Sequence, residues 1–330
     1  MKNACVVGYG SIGPIHAESL KNAARATLYA VCDIDKDRAE LCKKEYDAVV
    51  YTDFDEMLTD KSIDSVHICT PHYLHKDMAV KAMKADKHVV LEKPAAMNKD
   101  ELDELIKVQN ETGMCVCLML QNRTNPCIKA MKSALNNNEY GKLIAMEGSL
   151  LWHRDESYYN SAAWRGTKKY EGGGLLINQA IHMIDMFDYL GGGIESVCAS
   201  VSTKKLGNVI EVEDTADALF TMKDGVEACF YATNAHTTSK PFRLELEFEK
   251  VLLRYADSRL YKIDDNIEIL ATDTQPQTGK SYWGKGHSAV INQFYENYPR
   301  NNDYIKLSDG INTMKALFAM YEANNKKILI

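Results

Sequence analysis

Hydrophobic and polar positions follow two different rhythms along the chain. In the first 121 residues, short continuous apolar runs are separated by segments with helical spacing. Continuous runs are typical of parallel strands, because such strands are covered on both faces. We expect strands at 4–8, 27–33, 49–53, 64–70, 87–94 and 114–120, with helices between them, for example at 76–84 and 100–112. Strands that alternate with helices predict an α/β fold with a doubly wound parallel sheet.

After about residue 140 the pattern changes to alternating strands and longer polar loops. Residues 223–225 read "KDG", a hairpin signal between two alternating runs, which favours an antiparallel sheet. Further strands are expected at 142–154, 194–203 and 242–256, and late helices at 288–298 and 308–324. The sequence therefore predicts two domains, 1–121 and 122–330, and residues 124–135 could form a helix that links them.

Composition places the chain among globular proteins, with 45% hydrophobic and 26% charged residues. No apolar run approaches the roughly 18 residues of a membrane span, and no signal peptide is recognisable, so we expect a cytoplasmic protein without a membrane partner. The net charge of −7 and the lack of a Lys/Arg run argue against nucleic acid as a partner. The nine cysteines are scattered, which fits reduced thiols, and we expect no metal site.

The first candidate site is the motif "GYGSIG" at residues 8–13, after the first strand and at the start of a helix. Gly8 would permit the tight turn, Gly10 the approach of a pyrophosphate, and Gly13 close packing of helix and strand. The free N–H groups and positive end of the helix would then meet the phosphate charge. This pattern predicts a dinucleotide cofactor.

Asp33 follows Gly13 by 20 residues, at the end of the second strand. A carboxylate there accepts hydrogen bonds from the adenine ribose hydroxyls and repels a 2′-phosphate, so NAD is favoured. NADP stays possible because Arg38 could reach back. The candidate residues around this turn are Gly8, Gly10, Ser11, Ile12, Gly13, Asp33 and Ile34.

The second candidate site is the triplet "EKP", Glu92 to Pro94, where a buried parallel strand ends. Ligands in open α/β sheets bind beyond the carboxyl ends of the strands. Desolvation lowers the pKa of a lysine, so Lys93 is a candidate general acid or base. The alternative is a solvated lysine in a strand-to-loop turn, with Pro94 as a stop signal. The segment "TPHYLH" (70–75) ends the fourth strand and should line the same cleft.

The third candidate site is "EGGGLLINQAIHMID" at 171–185. A helix over 175–190 would put Asn178, Gln179, His182 and Asp185 on one third of its circumference, with almost everything else apolar. Such a helix should be buried, so its polar groups must be paired or face a wet cavity. His182 is then either a satisfied core histidine or a proton-transfer group, and this stretch alone leaves both open.

Taken together and in this order, "GYGSIG", "TPHYLH", "EKP" and "GGGLLINQAIHMID" resemble the glucose–fructose oxidoreductase/inositol dehydrogenase (Gfo/Idh/MocA) family. The segment "WHRDESYYNSAAWRGT" is also similar to that of sugar-acting members. The resemblance implies an N-terminal Rossmann domain and a C-terminal α/β domain with an open, mostly antiparallel sheet. Members often form homodimers or homotetramers through that sheet.

The resemblance also implies the reaction, a hydride transfer between NAD(P) and a secondary alcohol of a sugar, sugar acid, cyclitol or nucleotide sugar. By motif position, Lys93 and His182 correspond to the catalytic residues, together with Asn178. Positions near the nicotinamide and its ribose correspond to Thr70, Pro71, His72, His75, Glu92, Lys93 and Gln121.

Substrate contacts are expected from Lys93, Arg123, Arg154, Tyr159, Trp164, Arg165, Asn178, Gln179, His182 and His236. The alternative for residues 154–170 is a packed aromatic loop. Many family members carry Asp four residues before the histidine, where this chain has Asn178. An asparagine can orient the ring of His182 but supplies no charge to favour its protonation.

Two other functions stay open from the sequence. Some members of the family use tightly held NAD to cleave glycosides by transient oxidation, and a non-catalytic NAD-binding regulatory protein is also compatible with the motifs. A carbohydrate or polyol oxidoreductase accounts best for the presence of both Lys93 and His182.

Overall fold

The computed structural model describes residues 1–274, 285–299 and 303–330. The chain divides into two compact units. The first contains Met1–Gln121 and the described part of 285–310, and the second contains residues 122–274 and Ile311–Ile330. Among the described residues, no helix combines the length and apolar character needed to cross a membrane.

The N-terminal part of the first unit alternates strands and helices as predicted. Its strands are β1 (Lys2–Val7), β2 (Ala26–Cys32), β3 (Val49–Tyr51), β4 (Ser65–Ile68), β5 (His88–Leu91) and β6 (Val116–Leu118). Its helices are α1 (Gly13–Lys21), α2 (Lys36–Tyr46), α3 (Phe54–Thr59), α4 (His72–Lys84) and α5 (Lys99–Thr112). All strand pairs are parallel, in the order β3-β2-β1-β4-β5-β6. This is the strand order of a doubly wound dinucleotide-binding sheet, so the predicted Rossmann architecture is confirmed.

Strand β3 is shorter than the predicted 49–53, because Asp53 begins a helix instead of ending the strand. Its Oδ1 accepts a hydrogen bond from the backbone N–H of Glu56 at 2.8 Å. This N-cap satisfies one of the free donors of α3, a short helix that the apolar pattern did not predict.

The second unit contains a large mixed sheet and the helices around it. Its helices are α6 (Pro126–Asn136), α7 (Glu156–Asn160), α8 (Lys168–Glu171) and α9 (Ile181–Leu190). Its strands include β7 (Leu143–Leu151), β8 (Ile194–Ser202), β9 (Thr215–Met222), β10 (Glu227–Thr233), β11 (Arg243–Phe248), β12 (Leu252–Ala256), β13 (Arg259–Ile263) and β14 (Ile267–Thr272). The last described elements of the chain are α10 (Gly286–Asn297), α11 (Leu307–Ala323) and β15 (Lys327–Leu329).

The nine strands of this sheet follow the order β14-β13-β12-β11-β7-β10-β9-β8-β15. Only β7 and β10 pair in parallel; the other neighbours pair antiparallel. The predicted open, mostly antiparallel sheet is confirmed, and so is the hairpin at "KDG", where Gly225 has a φ of +88°.

Helix α10 does not follow the sequence-based division into domains. That division assigned all of 122–330 to the second domain. Helix α10 belongs to the first unit, because its side chains Val290, Ile291 and Phe294 are buried in that unit's core. Ser288 adds a hydrogen bond of 2.8 Å to Ser19 in α1. A linear boundary at 121/122 could not show that the chain returns to the first core.

The segment that carries His182 is not one regular α-helix. Residues Leu176–Ala180 form a π-helical turn, and α9 follows it. The buried carboxylate of Glu213 accepts hydrogen bonds from the N–H groups of Gly174 (2.9 Å) and Leu176 (2.8 Å). A Cβ at Gly174 would lie 2.2 Å from the carbonyl oxygen of Glu213, so this close approach requires glycine. Long-range packing thus sets the start of the segment, and π-helical turns of this kind are frequent at functional sites.

Helix α9 packs directly on β7 at Gly148, which gives a test of the fold. A Cβ there would lie 2.5 Å from the Sδ of Met183 and 2.6 Å from the Cζ of Phe187. We predict that Gly148→Ala lowers the free energy of unfolding by about 1–3 kcal/mol through overpacking, measured by urea denaturation.

Gly207→Ala is the matched control, because Gly207 is exposed and a Cβ there would meet only Thr203 Cγ2 at 3.8 Å. The control should stay within about 0.5 kcal/mol of the unsubstituted protein. Equal stability of Gly148→Ala and the control would contradict the close packing of α9 on β7.

Candidate functional site

The glycine turn in the first unit combines two packed glycines with one open glycine. Gly8 has a φ of +86°, and a Cβ at this position would lie 2.9 Å from the carbonyl oxygen of Cys69. A Cβ at Gly13 would lie 2.2 Å from the carbonyl oxygen of Gly8. At Gly10 the nearest atom would be Nη1 of Arg38, 4.0 Å away. Gly10 therefore leaves space in front of the N-terminus of α1, where a pyrophosphate fits.

Asp33 joins the glycine turn to the turn after β2. Its Oδ2 accepts a hydrogen bond from the N–H of Tyr9 at 2.6 Å, and its Oδ1 accepts one from the N–H of Asp35 at 2.8 Å. Each carboxylate oxygen keeps a second lone pair for a ribose hydroxyl. Ile34 is 94% exposed beside it, which leaves an apolar surface for the adenine. Arg38 lies 3.3 Å from the carboxylate of Asp35, so an ion pair already engages its charge.

His75 connects the turns after β4 and β5. Its Nδ1 lies 2.7 Å from the carbonyl oxygen of Pro94, and its Nε2 lies 2.8 Å from that of Thr70. A neutral imidazole has one N–H and donates to only one of these carbonyls at a time. Burial lowers the pKa of His75, although both carbonyls favour the protonated ring. The structure thus brings the "TPHYLH" and "EKP" turns together, with His72 buried beside His75 at a ring distance of 5.8 Å.

Glu92 is a buried, ionised carboxylate directly before Lys93. Its Oε1 lies 3.0 Å from Nε2 of His16 and 3.3 Å from Nε2 of His287, and its Oε2 accepts the N–H of Lys93 at 3.3 Å. Burial alone would raise the pKa of the Glu92 carboxyl. The hydrogen bonds from His16 and His287 outweigh burial and hold that pKa well below its usual range. Glu92 therefore positions the backbone at Lys93.

A chain of hydrogen bonds leads from Glu92 into the core of the first unit. Nδ1 of His16 lies 2.9 Å from Nδ1 of His67, whose Nε2 lies 2.7 Å from the hydroxyl of Tyr295. Burial lowers the pKa of both histidines, so both rings are neutral at neutral pH. Because ionised Glu92 can only accept, His16 donates to it from Nε2, His67 donates to His16, and Tyr295 donates to His67. Every polar group on this buried path has a partner.

Sequence reasoning missed this hydrogen-bonded chain. The sequence feature that could have revealed it is His67 inside an otherwise apolar strand, since a buried polar side chain needs a partner. In the part of the chain that the structure describes, His16, Glu92 and His287 are also the one group of three possible metal ligands. Their contacts with one another already account for these atoms, so we assign them to the hydrogen-bonded chain.

His182 opens into a pocket in the second unit. The pocket is lined by Asn122, Asn125, Ile128, Leu150, Trp152, Gln179, His182, Met186, Phe242 and Tyr255. Amide groups and aromatic rings predominate among its polar and large side chains. Such a lining suits a ligand that carries hydroxyl groups on an apolar ring, because amides bond the hydroxyls and aromatic rings pack against the C–H groups. The structure thus brings His182 and Gln179 together, as the sequence predicted.

Tyr158 connects this pocket to the arginines of the 154–170 loop. Its hydroxyl accepts hydrogen bonds from Nε2 of Gln179 (2.9 Å) and Nη1 of Arg165 (2.6 Å). The guanidinium groups of Arg154 and Arg165 lie 4.9 and 4.6 Å from the centre of its ring. Arg154 also lies 4.9 Å from the ring of Trp152, which lines the pocket. The loop is both a packed aromatic cluster and a source of positive charge beside the pocket.

Glu171 is a buried carboxylate that sequence reasoning did not single out, although it begins the quoted "EGGG". Its Oε1 accepts a hydrogen bond from Nδ2 of Asn178 at 2.5 Å, and its Oε2 accepts the N–H of Gly166 at 2.5 Å. Burial raises the pKa of Glu171 to about 7. A titratable carboxyl therefore lies one hydrogen bond from Asn178.

The structure places four other candidate substrate residues away from the pocket lining. Arg123 forms a buried ion pair with Asp185, with Nε 3.0 Å from Oδ2. The hydroxyl of Tyr159 accepts a hydrogen bond from Asn234 at 3.2 Å, and His236 bonds the carbonyl of Thr238 through Nδ1 at 2.7 Å. Trp164 packs under the guanidinium of Arg165 at 4.6 Å. Their roles in substrate binding stay predictions.

Comparison with known proteins identifies the family. Residues 2–120 match the family model of oxidoreductases with an NAD-binding Rossmann fold (GFO_IDH_MocA), and residues 128–254 match the model of the GFO/IDH/MocA C-terminal domain. The chain therefore belongs to the Gfo/Idh/MocA family, as the motifs predicted. It is an oxidoreductase with an NAD-binding Rossmann fold.

Individual relatives agree with this assignment. The myo-inositol 2-dehydrogenase of Thermotoga maritima is 30% identical over 285 residues, which cover 84% of this chain and 80% of that protein. The glucose-6-phosphate 3-dehydrogenase of Bacillus subtilis is 24% identical, covering 98% of this chain and 97% of that protein. The crystal structure of the WlbA dehydrogenase from Bordetella pertussis, in complex with NADH and UDP-GlcNAcA, has a TM-score of 0.88 at 24% identity. It covers 100% of this chain and 99% of that chain, and this likeness shows the fold.

The open space at Gly10 gives a test of cofactor placement. We predict that Gly10→Ala weakens NADH binding at least about tenfold, because a methyl group would occupy the space for the pyrophosphate. Its free energy of unfolding should stay unchanged, since the nearest atom to the added carbon, Nη1 of Arg38, would lie 4.0 Å away without a clash. Fluorescence titration with NADH and urea denaturation measure the two effects.

Gly13→Ala is the contrasting variant, since its added carbon would collide with the backbone of Gly8 and lower stability directly. Unchanged NADH affinity of Gly10→Ala, with the fold intact, would mean that the pyrophosphate does not bind at this turn.

Proposed function

We propose that the protein oxidises a secondary alcohol of a sugar, sugar acid, cyclitol or nucleotide sugar with NAD as hydride acceptor, or catalyses the reverse reduction. The observation that carries the proposal is the position of His182, which lies on a largely buried helical segment and lines a pocket of amides and aromatic rings. The similarity to a myo-inositol dehydrogenase over four fifths of both chains supports an alcohol substrate.

The residues of this chain would handle the cofactor's binding and the substrate's proton, while bound NAD would accept the hydride. Gly10 and the N-terminus of α1 would bind the pyrophosphate, and Asp33 the adenine ribose. The lack of a free positive charge beside Asp33 favours NAD over NADP, because the Asp35 carboxylate already pairs with Arg38. Ser11, Ile12, Thr70, Pro71 and Gln121 complete the proposed cofactor contacts.

His182 and Lys93 would divide the work on the reacting hydroxyl. One takes up its proton as hydride leaves the same carbon, and the other stabilises the oxygen as negative charge develops. Glu92 supports Lys93 by bonding its backbone N–H, which orients the turn that presents the side chain. Gln179 would bond a neighbouring hydroxyl, since it lies in the lining beside His182.

Arg154 and Arg165 favour a substrate that carries an anionic group. Within the described residues, neither guanidinium forms an ion pair with a carboxylate at hydrogen-bond distance, and the Nε atom of each is buried without a partner. A carboxylate or phosphate group bonds such donors in a fork geometry. A sugar acid, sugar phosphate or nucleotide sugar would supply one.

A homo-oligomer through the nine-stranded sheet is part of the proposal. Exposed apolar side chains lie on the same face of two adjacent strands of this sheet: Leu219 on β9 and Tyr231 on β10. A second copy of the chain would cover them, and the molar mass in solution, measured by light scattering, tests this.

The central test is NADH formation with Lys93→Ala over a panel of neutral polyols, sugar acids, sugar phosphates and nucleotide sugars. We predict that the substitution reduces kcat at least about 10³-fold and leaves the Kd for NADH within a fewfold, because Lys93 acts on the substrate and not on cofactor affinity. Anionic members of the panel should be turned over better than neutral ones.

Lys99→Ala is the matched control, an exposed lysine at the start of α5 that should retain full activity. Retained turnover in Lys93→Ala would refute the assignment of Lys93. Cleavage of a chromogenic glycoside without net NADH would point to the NAD-assisted hydrolase, and binding of NAD without any turnover to a regulatory protein.

A further inference from the structure

We infer that Glu171 is a positioning residue for the proton transfer, acting on His182 through the side-chain amide of Asn178. The inference rests on the role of His182 proposed above. Its basis is the geometry of one buried cluster in the second unit, formed by Glu171, Asn178 and the π-helical turn that leads into α9.

The hydrogen bond between Glu171 and Asn178 orients the amide. With Nδ2 of Asn178 donating to Oε1 of Glu171 at 2.5 Å, the Oδ1 atom points away from the carboxylate. Asn178 lies in the π-helical turn and His182 is the second residue of α9, four positions further on. We infer from this spacing that Oδ1 of Asn178 faces the imidazole. The amide thus presents an acceptor on the side of His182, which favours an N–H on the imidazole.

The surroundings of Glu171 hold it in place and leave it titratable. The side chain is 1% exposed, and its second oxygen is bonded by the N–H of Gly166. The charged and titratable groups around it include Arg165, Glu213, Tyr159 and Tyr321. Arg165 favours the ionised form, whereas Glu213 and burial oppose it. Near neutral pH the carboxyl therefore exists in both protonation states.

Protonation of Glu171 would reverse the amide. An ionised carboxylate only accepts hydrogen bonds, so it selects the NH₂ end of Asn178. A protonated carboxyl has an O–H, which can donate to Oδ1 if the amide turns over. The NH₂ group of Asn178 would then face His182. Because an NH₂ group donates hydrogen bonds, it would disfavour a proton on the ring nitrogen that it faces. Ionised Glu171 thus supports His182 as the acceptor of the substrate proton, and protonated Glu171 withdraws that support.

The function of this pair is to supply charge where Asn178 has none. An asparagine cannot ionise, but its amide transmits the preference of Glu171 to the imidazole. As the hydroxyl proton moves to His182 and hydride leaves to NAD, the ring becomes an imidazolium. A carboxylate one hydrogen bond beyond the neighbouring amide stabilises that cation.

The test is the pH dependence of alcohol oxidation by Glu171→Gln. The substitution keeps the size of the side chain, removes its ionisation and mimics the protonated state. We expect kcat to fall about tenfold or more at pH 8, with KM within a fewfold, as for other residues that orient a functional group through a hydrogen bond. The acidic limb of the kcat profile should move to lower pH, because the imidazolium loses a stabilising anion.

The double variant Glu171→Gln/Asn178→Asp provides the rescue. It puts a carboxylate four residues before His182 and removes the carboxylate at position 171, which would repel it. The double variant should therefore recover part of kcat and return the acidic limb of the kcat profile toward higher pH. Glu322→Gln is the matched control, an exposed glutamate on α11 that should leave the profile unchanged. NADH affinity and the unfolding midpoint of each variant show whether the fold is intact.

A direct measurement on the unsubstituted protein covers the case in which Glu171→Gln does not fold. The ring resonances of His182, followed by NMR in the NAD complex, should respond to a second ionisation near pH 7. The inference would be overturned if the pH profile of kcat for folded Glu171→Gln superimposed on that of the unsubstituted protein. It would also be overturned if the NMR titration of the His182 ring showed a single ionisation.

His182→Gln separates this inference from the proposed function. Loss of turnover in His182→Gln with an unchanged Glu171→Gln profile would refute only the role of Glu171. Full turnover in His182→Gln would refute the proposed role of His182 and the inference with it.

Discussion

The need of every buried carboxylate for hydrogen-bond donors organises both units of this protein. In the second unit, Glu213 accepts the N–H groups of Gly174 and Leu176 and so holds the beginning of the segment that carries His182. Free N–H groups at a helix start and a desolvated anion satisfy one another, and neither is stable in the core alone. The glycine run makes this possible, because a side chain at Gly174 would collide with the backbone at Glu213.

The same constraint has opposite outcomes at two other glutamates. Glu92 and Glu171 are both buried, yet the pKa of Glu92 lies well below its usual range and that of Glu171 is raised to about 7. The difference lies in the donors. Glu92 lies against the imidazoles of His16 and His287, whereas Glu171 accepts the N–H groups of Asn178 and Gly166 and lies near Glu213. Glu92 is thus a permanent anion suited to holding the turn at Lys93, and Glu171 is suited to changing its charge.

Local sequence signals were reliable where one residue type has one physical explanation. The spacing of Gly8, Gly10 and Gly13 predicted the turn, because only glycine tolerates the φ at Gly8 and the close approach of backbone at Gly8 and Gly13. Apolar runs separated by helical spacing predicted the parallel sheet, and "KDG" predicted the hairpin. The same reasoning did not reveal the π-helical turn at Leu176–Ala180, where the start of the segment is bonded by Glu213, more than 30 residues further along the chain.

By itself, the sequence determined the class of fold and the dinucleotide turn, because these depend on residue types at short, regular spacing. It nominated Lys93 and His182 as catalytic residues through their resemblance to the family's motifs, and those roles stay predictions. Only the tertiary structure decided which donors each buried charge meets. It put α10 and His287 beside Glu92, engaged Arg123 with Asp185, and joined Glu171 to Asn178. The pKa of a buried group depends on its neighbours in space, and residues distant in sequence supply most of those neighbours.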